Sequence, residues 1–190
     1  MQLNIYSISH PIIQLLSNKT TIKNKNNILS SCYYKNIGLL LMYEILRKYI
    51  KIQNVYIKSL YSTKELKLIS YDEKYLIFTD ISNNYEMISG IKTLIPNIDI
   101  ININYINITN EQNPTKEIEK VSANTQIFIL EEQLKNINVI SIIKYITLIY
   151  QIPINQINIA CIRSDQTILK QLGNIYPKVK VYTTQILYTR

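Results

Sequence analysis

Apolar positions along the chain alternate between stretches with a helical period and stretches with a strand period. From Tyr33 to Lys51, the positions Ile37, Leu40, Leu41, Ile45, Leu46 and Tyr49 recur at three- and four-residue spacing, which predicts a helix. Tyr75 to Ile81 is β-branched and aromatic and predicts a strand. Residues 84–95 predict a helix stopped by Pro96, followed by a strand from Ile98 to Ile108 whose phase slips at Ile106 and Ile108, as at a bulge. Residues 109–120 are polar, contain Pro114 and predict a loop. Thr125 to Leu130 predicts a short strand, 137–151 a helix, and Gln156 to Ile162 another strand. A helix over 164–174 closed by Gly173 as its C-cap, and a strand from Val179 to Ile186, complete the series. Residues 1–32 read as an irregular or partly helical N-terminal arm, and 33–190 as one α/β domain with a largely parallel, buried sheet.

Composition narrows the chemistry. The chain has 190 residues, 47% of them apolar, which suits one globular domain with a sizeable core. Two cysteines and one histidine cannot build a disulfide framework, a Cys-rich zinc site or a multi-His metal cage, so no metal site is expected. Gly38, Gly90 and Gly173 are too scattered for a glycine-rich phosphate loop. The 40 Ile, 21 Asn and 16 Tyr point to A/T-rich coding and hence to an organellar genome. Neither a targeting segment nor an apolar run of about 18 residues is visible, so no transmembrane segment is expected. Cys32 and Cys161 are expected as free, buried thiols.

The net charge of +8 lies entirely in residues 1–70, including Lys35, Arg47, Lys48 and Lys51. A solvated helical face accounts for dispersed lysines first; contact with an acidic partner, RNA or an acidic protein face, is the functional alternative. Glu131-Glu132, at a strand end, reads first as an acidic helix start and second as a metal or acid/base pair.

The order of several fragments resembles uracil phosphoribosyltransferase along nearly the whole chain. His10-Pro11-Ile-Ile-Gln-Leu-Leu16 is similar to that family's opening, and Leu40-Leu41-Met42-Tyr43-Glu44-Ile45-Leu46-Arg47 to its first long helix. Leu94-Ile95-Pro96 and Tyr176-Pro177-Lys-Val-Lys-Val-Tyr182-Thr183 are similar to two further family segments. The resemblance implies a phosphoribosyltransferase-like (type I) α/β fold, a central mostly parallel sheet flanked by helices. It also implies a loop for the 5-phosphate of phosphoribosyl pyrophosphate, whose remnant is Glu131, Glu132, Asn136 and Asn138. There Ile137 and Asn138 stand for the family's paired glycines, and β-branched Ile resists the crowded backbone such a cradle needs. Ser82-Asn83-Asn84 stands for the family's Arg-Ala-Gly, Asn107 for a further family Arg, and the family's C-terminal uracil pocket has no counterpart before Arg190.

With two anion sites and a base pocket altered together, no catalytic residue is assigned and no cofactor is expected, Mg²⁺ entering only if an enzyme survives. The expected role is a non-enzymatic structural or docking subunit of a larger plastid assembly. A photosynthetic antenna–photosystem complex and the ribosome are the candidate hosts, in the chloroplast stroma or on the stromal side of a thylakoid-associated complex. Lys35, Arg47, Lys48 and Lys51 are the expected contacts with protein partners. The alternatives are an active enzyme making UMP from uracil and phosphoribosyl pyrophosphate, and a basic nucleotide- or RNA-binding regulator. Self-association as a homodimer is compatible with each.

Overall fold

A computed structural model describes residues 3–21, 27–70, 73–103, 125–135 and 137–188. Its elements are β1 (Asn4–Ser7), α1 (Pro11–Thr21), α2 (Asn27–Leu46), β2 (Ile52–Lys58), β3 (Thr63–Ile69), β4 (Lys74–Thr79) and α3 (Ile81–Leu94). They continue with β5 (Asp99–Asn102), β6 (Thr125–Leu134), α4 (Asn138–Ile149), a 3-10 turn (Ile154–Gln156), β7 (Ile157–Asp165), α5 (Gln166–Ile175) and β8 (Lys180–Leu187). Six strands form one sheet in the order β1-β8-β7-β6-β4-β5, every described pairing parallel. The α/β architecture expected from the sequence is the one observed.

Strand alternation sorts the core into two layers. Phe78, Ile127, Ile129, Ile157 and Ile159 face Ile142, Ile143 and Ile146 of α4 and Leu169 and Leu172 of α5. Tyr75, Ile77, Phe128, Leu130 and Ile162 face Ile37, Leu41 and Ile45 of α2 and Met87 and Ile91 of α3. Because both faces of β4, β6 and β7 are covered, these strands read as near-continuous apolar runs.

Helices α2 and α3 approach closely through glycine. A Cβ on Gly90 would stand 1.9 Å from the Lys35 carbonyl oxygen, and one on Gly38 would stand 2.3 Å from that of Met87. Gly173 is inside α5, not its C-cap: the helix runs on to Ile175 and is capped by Tyr176, whose N–H donates to the Leu172 carbonyl at 2.7 Å. Smallness is what this position uses, because a Cβ here would stand 3.3 Å from that of Leu3.

Several boundaries differ from the sequence-based expectation. The residues read as an arm supply β1, which pairs in parallel with β8 from Asn4↔Lys180 to Ser7↔Thr183, and α1, pinned by Gln14 Nε2 donating to the carbonyls of Ile8 and Thr184. The helix expected over 33–51 begins at Asn27 and ends at Leu46, because Arg47–Tyr49 tighten into a turn that feeds β2. β2 and β3 form a separate antiparallel hairpin, Ile52 opposite Ile69 and Lys58 opposite Thr63. The expected bulge at Ile106 and Ile108, the 109–120 loop, Asn107 and Asn136 lie outside the described residues. Cys161 is buried as expected, whereas Cys32 is exposed on α2. No described helix is long and apolar enough to cross a membrane.

Candidate functional site

In an open parallel sheet, ligands bind beyond the carboxyl ends of the strands, where the strand order reverses. Here the reversal falls between β4 and β6, since β4 leads through α3 to β5 on one side while β6 lies on the other. Thr79, the last residue of β4, donates its hydroxyl to the Leu130 carbonyl at 2.7 Å, which aligns Asp80 beside Glu131. Asp80 N-caps α3, accepting from the Ser82 N–H at 2.9 Å and from Asn83 Nδ2 at 2.7 Å. Asn84 is buried and kinks the first turn of α3 (φ −118°, ψ 18°), donating to Thr79 Oγ1 at 3.0 Å and to the Asp80 carbonyl at 3.2 Å. Its side-chain Oδ1 is buried with no hydrogen-bond partner. Burial first, then the Asp80 charge, pushes the Glu131 carboxyl up to about 7, with a hydrogen bond from Asn84 opposing them.

The first four positions of the segment resembling the phosphate loop, Glu131 to Leu134, are strand. Strand β6 runs to Leu134, in register with β7 from Ile127↔Ile157 to Leu134↔Ser164. Glu131 and Glu132 are therefore strand residues and not the start of a helix, and only residues 135–137 separate β6 from α4. Asn138 is exposed at the first position of α4, behind Ile137, which provides no side-chain cap.

Glu132 is held from two sides. Arg163 Nη2 lies 2.5 Å from Glu132 Oε1, and Tyr34 donates its hydroxyl to the same oxygen at 2.8 Å. Burial, followed by the Glu132 hydrogen bond and charge, pushes the Tyr34 phenol up to about 12. A cavity of about 130 Å³ adjoins them, lined also by Ser30, Ser31, Asn83, Glu86 and Met87. Arg163 is thus matched by a carboxylate of the same chain. Among the described residues, no group of three His, Cys, Asp or Glu is placed to hold a metal ion.

The four expected interaction residues separate. Arg47 and Lys48 share an open groove of about 530 Å³ with β1 residues, His10, Glu44 and Tyr182. Lys48 Nζ stands 3.6 Å from the Tyr6 ring centroid, and Tyr6 stacks on Tyr182 at 4.9 Å. Tyr182, Tyr49 and Asn158 join in a hydrogen-bond chain beneath the rings, the two phenol oxygens 2.9 Å apart and Tyr49 donating to Asn158 Oδ1 at 2.8 Å. Lys51 instead pairs with Glu73 at 2.7 Å. Burial alone would raise Glu73, but hydrogen bonds from Lys51 and Tyr75 hold it below the usual carboxylate range. Lys35 is exposed near the middle of α2, at its crossing with α3. Sequence reasoning missed Tyr6, Tyr34, Tyr182 and Arg163, because each acquires its role through contact between distant segments, strand pairing for Tyr6, Tyr182 and Arg163 and packing of α2 against the sheet for Tyr34.

The hairpin β2–β3 was also missed. It carries exposed Ile52, Tyr56 and Ile57, with Leu60 and Tyr61 more than nine-tenths exposed at its turn.

No family model matches the chain. Over 98% of its length it is 27% identical to a protein described as a uracil phosphoribosyltransferase homolog from Pyropia yezoensis and 28% identical to one so described from Porphyra purpurea, covering 89% of each. The fold is similar to that of the AQ2163 protein from Aquifex aeolicus, with a TM-score of 0.74, 16% identity, and coverage of 97% of this chain and 88% of the other.

Proposed function

For a chain related along its length to uracil phosphoribosyltransferase homologs of red algae, we propose a role without catalysis: a docking subunit of a larger plastid assembly. The observation that carries this reading is the continuation of β6 through Glu131 and Glu132. A phosphate cradle needs a loop whose N–H groups converge on the anion at a helix N-terminus. The first half of the corresponding segment is strand bearing two carboxylates, and Ile137 and Asn138 stand at the start of α4 where the resembling family has glycines. A polyanion entering there meets Asp80, Glu131 and Glu132, while Arg163 already has Glu132 at 2.5 Å. With Arg163 held by Glu132, little of the electrostatic stabilisation that departure of pyrophosphate requires is on hand there.

Retention of two filled core layers beside this altered site supports selection on the surface and the fold. The exposed apolar hairpin and the basic N-terminal third are the surfaces available to a partner. A/T-rich coding and the red-algal relatives support the plastid as the compartment. The test is titration of the purified protein with phosphoribosyl pyrophosphate in the calorimeter. No heat of binding is expected up to millimolar ligand, and saturable binding would remove the docking reading in favour of the enzyme or the nucleotide-binding regulator.

A further inference from the structure

The edge of the main sheet combines three features that no reading of the former active site uses. β1 is the terminal strand, and among the described residues nothing pairs with its outer side. The Ile8 N–H donates to the Thr183 carbonyl at 2.9 Å, so the even-numbered positions bond inward to β8. Backbone alternation then turns the N–H and C=O of Ile5 and Ser7 outward, away from β8. All four residues of β1 are exposed. An open edge of this kind is a template for an added strand.

The side chains at this edge differ between the two faces. Tyr6 lies on the α2 face, stacked on Tyr182, with Lys48 fixed 3.6 Å from its centroid and Arg47 lining the same groove. Ile5 lies on the opposite face, paired in register with buried Val181 and itself 39% exposed. The first acidic residue of the whole sequence is Glu44, and Arg47 pairs with it at 2.9 Å. A strand laid against β1 therefore meets cations and an aromatic platform on one face and an apolar side chain on the other.

We infer that the outer edge of β1 docks an extended, acidic segment of a partner protein by strand addition, its acidic side chains alternating with β-branched apolar ones. The acidic positions face Lys48 and Arg47, the apolar positions cover Ile5, and the partner backbone bonds to Ile5 and Ser7. Charge complementarity selects this occupant over a second copy, whose β1 region would bring like charges together. The inference rests on the docking role proposed above and assigns it a site and a partner chemistry.

The test uses the full chain and three fluorescein-labelled peptides of about eight residues, a typical strand length. One alternates Glu with Val, one is the same sequence N-methylated at every other backbone nitrogen, and one alternates Lys with Val. Saturable anisotropy is expected with the first alone. Its affinity should fall by about tenfold or more on Lys48→Glu and on raising the salt. Ser7→Pro, which removes an outward donor without touching the β8 pairing, should weaken it similarly.

Equal binding of the N-methylated peptide would overturn strand addition, leaving charge alone. No binding of the Glu–Val peptide, while the chain still co-fractionates with a native complex, would overturn this site and leave the docking role intact. A concentration-dependent dimer abolished by Ser7→Pro, with no peptide binding, would assign the edge to a second copy instead. UMP formation would remove the docking role without deciding whether the peptide binds.

Discussion

Glu131 and Glu132 are neighbours in sequence that alternation turns to opposite faces of β6, where they meet different surroundings. The Glu131 carboxyl stands at about 7 in the fold, above its ordinary value of 4.5, so the native chain keeps a proton that the unfolded chain gives up. The resulting stabilisation is complete below about pH 4.5 and is lost as the pH rises through about 7, amounting to at most about 3 kcal/mol. Urea unfolding at pH 5 and pH 8 should therefore show a smaller loss of stability with rising pH in Glu131→Gln than in the wild type. Equal losses would contradict the assignment. Glu132 instead serves Arg163 and Tyr34, with Arg163 12% exposed and Glu132 37% exposed. Glu132→Ala should cost about 1–2 kcal/mol, below the full value for a buried pair because water reaches the carboxylate. Replacing both partners, as Glu132→Leu with Arg163→Met, should cost less than Glu132→Ala alone by the same urea measurement. The sequence could flag the acidic pair but not its partners, because Tyr34 and Arg163 lie 98 and 31 residues away from Glu132.

Among the elements, the glycines were legible as scarce but not as useful. Gly38 and Gly90 let α2 and α3 cross at backbone distance, a contact that no spacing along either helix announces. Intrinsic helix propensity favours Ala over Gly by about 1 kcal/mol, so any loss in Gly90→Ala isolates the packing conflict with the Lys35 carbonyl. A loss of about 1–3 kcal/mol is expected, lowering Tm by about 3–10 °C, with exposed Lys92→Ala as the unchanged control. An unchanged Tm in Gly90→Ala would refute the close crossing. The hairpin was illegible for the opposite reason. Neither face of β2–β3 is covered by the main sheet, so lysines and exposed apolar residues interrupt the alternation that marks a half-buried strand. Two paired strands alone are marginal in water. In hydrogen exchange, the amides of Ile52–Lys58 and Thr63–Ile69 should therefore exchange well before those of β6 and β7, and matching protection would indicate that the hairpin is covered.

For the whole molecule, the fold was readable because β4, β6, β7 and β8 are enclosed between helices, and enclosure writes itself into the sequence as Ile-rich runs separated by helical periods. β1 left little trace, since a four-residue edge strand with no buried position has no such pattern. Ile137 and Asn138 could be read from the sequence as departures from the glycines of the resembling family, but the strand pairing of Glu131 depends on the β7 register, which only the assembled sheet reveals. The measurement that bears most directly on the central claim is UMP formation from uracil and phosphoribosyl pyrophosphate with Mg²⁺, using purified, monodisperse protein whose folding is verified by circular dichroism. No turnover above background is expected, because carboxylates and a strand stand where an anion cradle would be required. Turnover dependent on both substrates would contradict that claim and make the chain an enzyme.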